Sequence, residues 1–465
     1  MKEKILLYGF GNRCRNLLDL LDDTSFEVAC IVDSDPTKQG TEYGKYKILA
    51  PECLKDHPGV TVCVTFLSPA DEEPIWEELR SKYGIDEMDI CSYHELIIKI
   101  YREKYKGISL ETAAGTKQLS RCFDASWEMG LGGVEAWLND IRNACDRRRI
   151  RDIHWLTYGE RMNELKDKPP FSDEYINAGI RLIQGCLPCT IVFSRVNELM
   201  LSAYLLKLRM PDKLKIIMAV HGSCDGLYRD VLSYRDGIDH YVCVSSMIKK
   251  CFEDKGVETG KISVMTIPVV REEGLERDYS DAIDSPLRLG YAGRLEIFQK
   301  RVDRLAELAS DLRERGIVFV LSIAGEGTYE IELRDVINRN GMSNEVRFLG
   351  MIDRENIPAF WKEQDIALNV SDSEGRPLSN MEAMLAGCVP VATYTSGIIE
   401  DVRDGENGYV VQKGDINAMA DRIEYLNNNR NLLKIMGEQA REDMMQKTNM
   451  DRHLDFWMGL LNVSS

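Results

Sequence analysis

Two carboxylates and two cations stand where they could grip one ligand. In SDSEGRPLSNMEAMLAGCVPV, residues 371–391, Glu374 precedes a glycine and a proline, and Glu382 follows seven intervening residues later. Pro377 suits the first turn of a helix, where its missing N–H is no loss. Gly375 lets a ligand approach the backbone closely. The unpaired N–H groups of such a helix start form an anion site. Arg294 and Lys300, in GYAGRLEIFQKR, would bring positive charge to the same place. A diphosphate suits that set, each charge-assisted hydrogen bond contributing roughly 1.5–3 kcal/mol. The carboxylates cannot bind phosphate, but they accept hydrogen bonds from hydroxyls. Hydroxyl-rich groups on both sides of a diphosphate describe a nucleotide sugar, with ribose on one side and hexose on the other. Taken singly, Glu382 reads as a helix-dipole partner, Lys300 as a surface charge and Arg294 as a turn residue. Their concurrence in the loops of one sheet gives the stronger reading.

Those loops need strands to carry them. Ligands in open parallel sheets sit outside the carboxyl ends of the strands. LRLGYAGRL reads as a strand leading into Arg294 and Lys300, and IVFVLSIAGEG as a strand ending at Gly325 and Gly327. VRFLG, DIALNVS, VPVATY and GYVV complete a sheet, with helices between the strands. VDRLAELASDLRERG has helical apolar spacing and is stopped by Gly316. Upstream, LSRCFDAS, DIHWLTY, CTIVFSR, KLKIIMAVHG, DHYVCVS and KISVMTIP predict a second α/β unit. KILLYGFG, EVACIVD and VTVCVTFL predict a third, self-contained one at the N-terminus. The polar stretch 101–118 reads as a linker and the charged stretch 271–286 as a boundary. The expected domains are 1–105, 118–275 with 447–465 crossing back, and 280–446.

Composition narrows the function classes. The 465 residues suggest about three domains at ~150 residues each. A net charge of −17 argues against a long nucleic-acid surface, and RRRIR at 147–151 is the strongest local basic spot. No apolar run nears the ~18 residues of a membrane span, so at most peripheral membrane contact is expected. MKEKILLYGFGN turns glycine-rich too early for a signal peptide. Thirteen cysteines without a framework fit a reducing cytoplasm, and Cys186 and Cys189 read as ordinary thiols beside a strand.

Residues ~120–460 resemble the retaining glycosyltransferases of family 4, which have the GT-B fold. The pieces that carry the resemblance are GGVE at 132–135, GRLEIFQKRVD at 293–303, AGEG at 324–327, EGRPLSNMEAMLAGCVPV at 374–391 and DVRDGENGYVV at 401–411. The resemblance implies an α/β GT-B fold: two Rossmann-like domains facing a cleft. It implies that Arg294 and Lys300 bind the donor diphosphate. Glu374 and the backbone of Gly375, Arg376, Pro377 and Leu378 would hold the transferred sugar, and Glu382 the ribose. Backbone near Phe348 to Met351 would read the base. Gly132 and Gly133 would line the cleft from the opposite side, and Gly325 would serve the donor. His221, in AVHG at a strand end, resembles the family's cleft histidine near donor sugar and acceptor; its bland reading is a structural loop histidine. The implied co-substrate is a UDP- or GDP-linked sugar and the implied acceptor a glycan or lipid-linked glycan, with no metal or other cofactor required. The implied chemistry retains the anomeric configuration, and bacterial surface polysaccharide is the expected setting.

The N-terminal unit resembles Rossmann-like domains attached to polysaccharide-biosynthesis proteins. YGFGNRCR imitates a dinucleotide fingerprint, with Gly9 and Gly11 after a strand and Asp33 ending the next. Cys14 stands where the third glycine belongs. YGKYK, with Tyr43 and Lys47, mimics a dehydrogenase pair but falls too early for a catalytic helix. DSD at 33–35 reads as a turn and not as a metal-binding Asp-x-Asp. Two rival functions follow: a GT-B-like protein that binds sugar nucleotides or partners without turnover, and an NAD-linked oxidoreductase built on the N-terminal unit.

Overall fold

The computed structural model describes residues 2–22, 24–65, 69–106, 119–126, 133–159, 162–269, 277–279 and 285–462. Among the described residues, three six-stranded sheets carry the chain. In the first, β1 (Glu3–Tyr8), β2 (Phe26–Val32), β3 (Glu42–Tyr43), β4 (Tyr46–Leu49), β5 (Thr61–Val64) and β6 (Ile90–Ser92) run in the order β3-β4-β2-β1-β5-β6. The second holds β7 (Ser120–Asp124), β8 (Ile153–Leu156), β9 (Cys189–Phe193), β10 (Leu214–Val220), β11 (His240–Cys243) and β12 (Ile262–Val264), ordered β12-β11-β10-β9-β7-β8. The third holds β13 (Leu287–Ala292), β14 (Phe319–Ala324), β15 (Val346–Gly350), β16 (Ile366–Asn369), β17 (Val389–Thr393) and β18 (Tyr409–Val411), ordered β15-β14-β13-β16-β17-β18.

The third sheet is parallel at every pairing. Its order reverses between β13 and β16, and Leu289 and Gly290 pair with Ile366 and Ala367 there. A reversal of strand order opens a crevice at the strands' carboxyl ends. Strands buried on both faces need continuous apolar sequence, and β16 and β17 supply it as IALN and VPVAT, buried throughout. The helix Asp303–Glu314 covers one face through Leu305, Leu308, Ala309 and Leu312. Burying one such leucine contributes roughly 1.5–3 kcal/mol. Gly316, at φ +73°, ends that helix as its sequence position predicts.

Contacts divide the chain into two compact units. One comprises Met1–Met129, Ile150–Ala219 and Cys224–Tyr241; the other comprises Gly130–Arg149, Val220–Ser223 and Val242–Ser465. In the first unit the N-terminal sheet and its helices pack on elements of the second sheet. Arg229 lies over the Trp76 ring at 4.2 Å, and Tyr101 donates to the Phe171 carbonyl at 2.6 Å. The helix Tyr93–Lys104 explains this, because it buries Tyr93, His94, Leu96, Ile97, Ile98, Ile100 and Tyr101, an apolar surface too wide for one partner. That helix also takes the first residues of the expected 101–118 linker, whose residues 107–118 lie outside the described ones.

The second unit keeps part of the expected 271–286 boundary tied to the third sheet. Arg277 donates to the carbonyls of Trp361, Ala386 and Gln364, and Tyr279 to that of Gly387. YGKYK forms the antiparallel hairpin of β3 and β4, which puts Tyr43 and Lys47 on different strands. Among the described residues no helix is long and apolar enough to cross a membrane.

Candidate functional site

The crevice at the β13/β16 reversal lies in the second unit and is built by two clamped loops. The loop after β13 holds Arg294, Gln299, Lys300 and Arg301; the loop after β16 holds Ser371 to Glu374. Gln299 donates to the Ser373 carbonyl at 2.9 Å, Arg301 to Asp372 at 3.0 Å and Arg304 to Asp372 at 2.5 Å. At the centre Lys300 Nζ donates to Glu374 Oε1 at 2.7 Å, and the Ser371 hydroxyl reaches the same oxygen at 2.7 Å. The side chains of Lys300 and Glu374 are 17% and 6% exposed, so this is a largely buried ion pair. Arg294 is 63% exposed and pairs with Glu296 and Gln299.

The sequence-predicted helix is Leu378–Leu385, with Pro377 as its N-cap at ψ 113° and not in its first turn. The reason is local: the loop stays extended through Pro377, whose carbonyl accepts from the N–H groups of Asn380 and Met381. No side chain caps the helix and no carboxylate stands in its first turn. The start therefore keeps its partial positive charge for a ligand. Arg376 is buried and its guanidinium is committed: it donates to Asp401 at 2.9 and 2.6 Å, to the Val244 carbonyl at 3.1 Å and to Thr266 at 2.9 Å. Only the Arg376 backbone can serve the crevice.

Gly375 meets the tip that follows β10. A Cβ there would lie 1.7 Å from the His221 carbonyl oxygen, so only glycine fits. Ser223 seals the contact by donating to the Glu374 carbonyl at 2.8 Å, and Ser396 donates to the same oxygen at 2.5 Å. The His221 ring packs on Trp137, centroids 4.6 Å apart. Gly325, at φ +125°, lies so close to Gly293 that an added Cβ would meet its carbonyl at 2.0 Å, which interlocks the loops after β13 and β14.

Gly133 opens the helix Gly133–Arg147, and an added Cβ would stand 3.3 Å from Leu378, so this helix start reaches the same crevice. Gly132 lies outside the described residues. The final helix, Met450–Leu460, is bound to Gly133–Arg147 by one histidine. Trp137 and Trp457 both donate to His453 Nε2 at 2.9 Å, and Nδ1 sits 3.0 Å from the Thr266 carbonyl. That pattern requires a neutral ring with its proton on Nδ1. Burial accordingly pushes the His453 pKa down to about 4.

Glu382 faces a cavity of about 780 Å³, lined also by Asn139, Asp140, Arg354, Leu385 and Arg441. The surrounding protein strips water from its carboxyl and raises its pKa to about 7; Arg354 pulls it down and Asp140 pushes it up. Leu349 and Met351 are exposed around the end of β15, and Gly350 takes φ +66°. Phe348 lies under Arg334 at 4.1 Å.

Sequence reasoning missed the clamp of Arg301, Arg304 and Asp372, the pin at Ser223, and the His453 lock. A signal existed for the first, because Lys300 is followed by two more arginines within four residues. None existed for Trp137 and His453, which lie 316 positions apart. In the N-terminal module Asp33 is buried. It accepts from the Phe10 N–H at 2.6 Å, from the Asp35 N–H at 2.8 Å and from Lys38 at 3.1 Å. A carboxylate so occupied holds its own turn and has little left for a ribose diol.

Residues 276–443 match the family of group 1 glycosyl transferases, and residues 1–91 match a family described as C2185-like, N-terminal. The chain is 28% identical over 175 residues to a poly(ribitol-phosphate) alpha-N-acetylglucosaminyltransferase of Staphylococcus aureus, covering 37% of this chain and 35% of that protein. It is 30% identical over 171 residues to the amylovoran biosynthesis glycosyltransferase AmsK of Erwinia amylovora, covering 36% and 42%. The matched stretch thus spans well under half the length of these curated relatives. Among solved structures, Anabaena HepE in complex with UDP and glucose superposes with a TM-score of 0.59 at 16% identity, over 75% of this chain and all of that one. The scaffold is GT-B, with an additional N-terminal Rossmann-like sheet.

Proposed function

We propose that this chain, which carries a group 1 glycosyltransferase domain at residues 276–443, moves a sugar from a nucleoside diphosphate to a glycan hydroxyl with retention of configuration. The observation that carries the reading is the Lys300–Glu374 pair beside an uncapped helix start. An ammonium has three donors, and one is spent on Glu374. The other two can reach a diphosphate while the second oxygen of Glu374 takes a hydroxyl of the transferred sugar. As the anomeric bond breaks, charge grows on the leaving phosphate. Lys300, the N–H groups of Leu378 and Ser379, and Arg294 from its exposed loop meet that charge already oriented, which is how preorganised sites lower barriers. The leaving phosphate then accepts the acceptor hydroxyl's proton on the same face. Gly375 makes this geometry possible, because His221 closes on the sugar side through it. Glu382 accepts the ribose hydroxyls one turn farther along the helix.

Uridine is the base to test first, since UDP occupies structural neighbours on this scaffold. Relatives named for poly(ribitol-phosphate) glycosylation and for amylovoran biosynthesis support a bacterial surface polysaccharide, or its lipid-linked precursor, as acceptor. The N-terminal Rossmann-like module takes a structural or recruiting role, supported by the inward commitment of Asp33. The test is a panel of UDP- and GDP-sugars assayed for hydrolysis and transfer, with the product anomer read by NMR. Glu374→Gln should hurt transfer far more than binding of free UDP. Unaltered turnover in that variant, or an inverted product, would sink the proposal.

A further inference from the structure

The cavity beside Glu382 contains charges that the reading above does not use. Four carboxylates line it, Asp140, Asp353, Glu355 and Glu382, against two guanidinium groups, Arg354 and Arg441. Asp353 and Glu355 are exposed and well solvated, whereas Asp140 is 7% exposed on the helix Gly133–Arg147. Burial raises the Asp140 pKa, and the Arg354 charge opposes that rise. Arg354 comes from the short turn just past β15 and reaches that helix with both terminal nitrogens. Nη1 donates to the Ala136 carbonyl at 3.1 Å, and Nη2 donates to Asp140 Oδ2.

A ribose diol presents two O–H donors, and only an ionised carboxylate offers it two acceptor oxygens with no competing proton. A second buried carboxylate in the same cavity disfavours that ionisation, and a cation between the two restores it. We propose that Arg354 is a positioning residue for the nucleoside end of the donor: by occupying Asp140 it keeps Glu382 available as the acceptor of the ribose hydroxyls. The inference rests on the reading of Glu382 as the ribose acceptor. It gives the turn after β15 a role separate from contact with the base, and it makes donor affinity depend on a residue of the helix Gly133–Arg147.

The experiment is calorimetric titration of the full chain between pH 5.5 and 8.5, with whichever of UDP and GDP the wild type binds more tightly. Wild-type affinity should rise with pH through neutrality. Arg354→Gln should move that midpoint upward by about one unit, which is about tenfold weaker binding below the midpoint. Arg354→Lys should restore most of the loss, because the charge is kept. Asp140→Asn should move the midpoint the opposite way and strengthen binding at pH 6. The double variant Arg354→Gln/Asp140→Asn should return close to wild type. Glu382→Gln should flatten the protein's part of the curve, leaving the nucleotide's own phosphate titration as the baseline. If Arg354→Gln and Asp140→Asn both weaken binding equally at every pH, the positioning role is overturned while Glu382 stands. If Glu382→Gln leaves affinity and pH dependence unchanged, the ribose reading fails and this inference fails with it.

Discussion

Replacing Lys300 by alanine tests the centre of the site on two independent scales. The substitution leaves Glu374, 6% exposed, with the Ser371 hydroxyl as its remaining donor on Oε1. Breaking a buried pair by removing one partner costs about 3–5 kcal/mol when burial is complete. Lys300 retains 17% exposure, so solvent relieves part of that cost, and about 2–3 kcal/mol is expected. The sign with pH follows from the orphaned carboxyl. An unpaired buried carboxylate is relieved by protonation, so the variant's deficit is larger where the carboxyl is charged and fades in acid. Urea unfolding of wild type and Lys300→Ala at pH 5 and pH 8 reads this directly, with the larger gap at pH 8. Lys300→Ala/Glu374→Gln should recover much of the stability, because no buried charge remains. Turnover behaves differently: loss of one preorganised donor costs about a hundredfold, and the double variant should recover none of it. Equal stability of Lys300→Ala and wild type at both pH values, together with near-normal turnover, would refute the buried-pair reasoning.

Gly375→Ala drives a methyl into the His221 carbonyl and should abolish transfer while leaving the N-terminal module folded, as far-ultraviolet dichroism and a transfer assay will show. His453→Leu removes the acceptor of two indole N–H groups and should cost about 2–4 kcal/mol in chemical denaturation. With its folded pKa lowered to about 4, the neutral ring of His453 stabilises the wild type above pH 6.5, and that contribution is lost as pH falls through 4. The acid limb of the wild-type stability profile should therefore be steeper than that of His453→Leu. A chain beginning at Lys117 uncovers the partners of Trp76 and Tyr101 and should melt lower than the full chain and bind a hydrophobic dye; a truncated chain with unchanged melting would show that those contacts are weak.

Much of the candidate site was legible because its chemistry is local. A glycine, a proline near a helix start and carboxylates one helical stretch apart all lie within a dozen residues, and the structure puts Glu374, Gly375, Pro377 and Leu378 on one loop and helix start, with Gly375 against the His221 carbonyl where a ligand was expected and Pro377 at the N-cap, just before the first turn. Short, mostly apolar runs likewise foretold the third sheet, because its central strands β16 and β17 are buried throughout. What was not legible is what depends on distant pairing. Lys300 could be assigned a positive charge from sequence, but not that this charge already neutralises Glu374, 74 residues away. For Arg376 only the backbone was expected to serve a ligand; that its guanidinium is held by Asp401, Val244 and Thr266 was not legible, because those partners lie 25, 132 and 110 positions away.

The N-terminal module shows the same limit from the other direction. Its sequence suggests a self-sufficient unit, since strands and an intervening helix follow one another in the expected pattern, even though Cys14 replaces the third glycine of the loop. Local rules do not say where the surplus apolar face of Tyr93–Lys104 goes. It goes onto the second sheet's helices, with His94 3.4 Å from the Tyr234 hydroxyl and Tyr105 bonded to Asn177 at 2.7 Å. A cofactor module needs its glycine loop and acidic residue open to solvent, but here Asp33 is turned into its own loop and Arg15 lies over Phe10 at 4.9 Å. The face that the module commits is the one turned to its neighbours. The apolar face of Tyr93–Lys104 is buried in the first unit, which supports the structural role proposed above for the module.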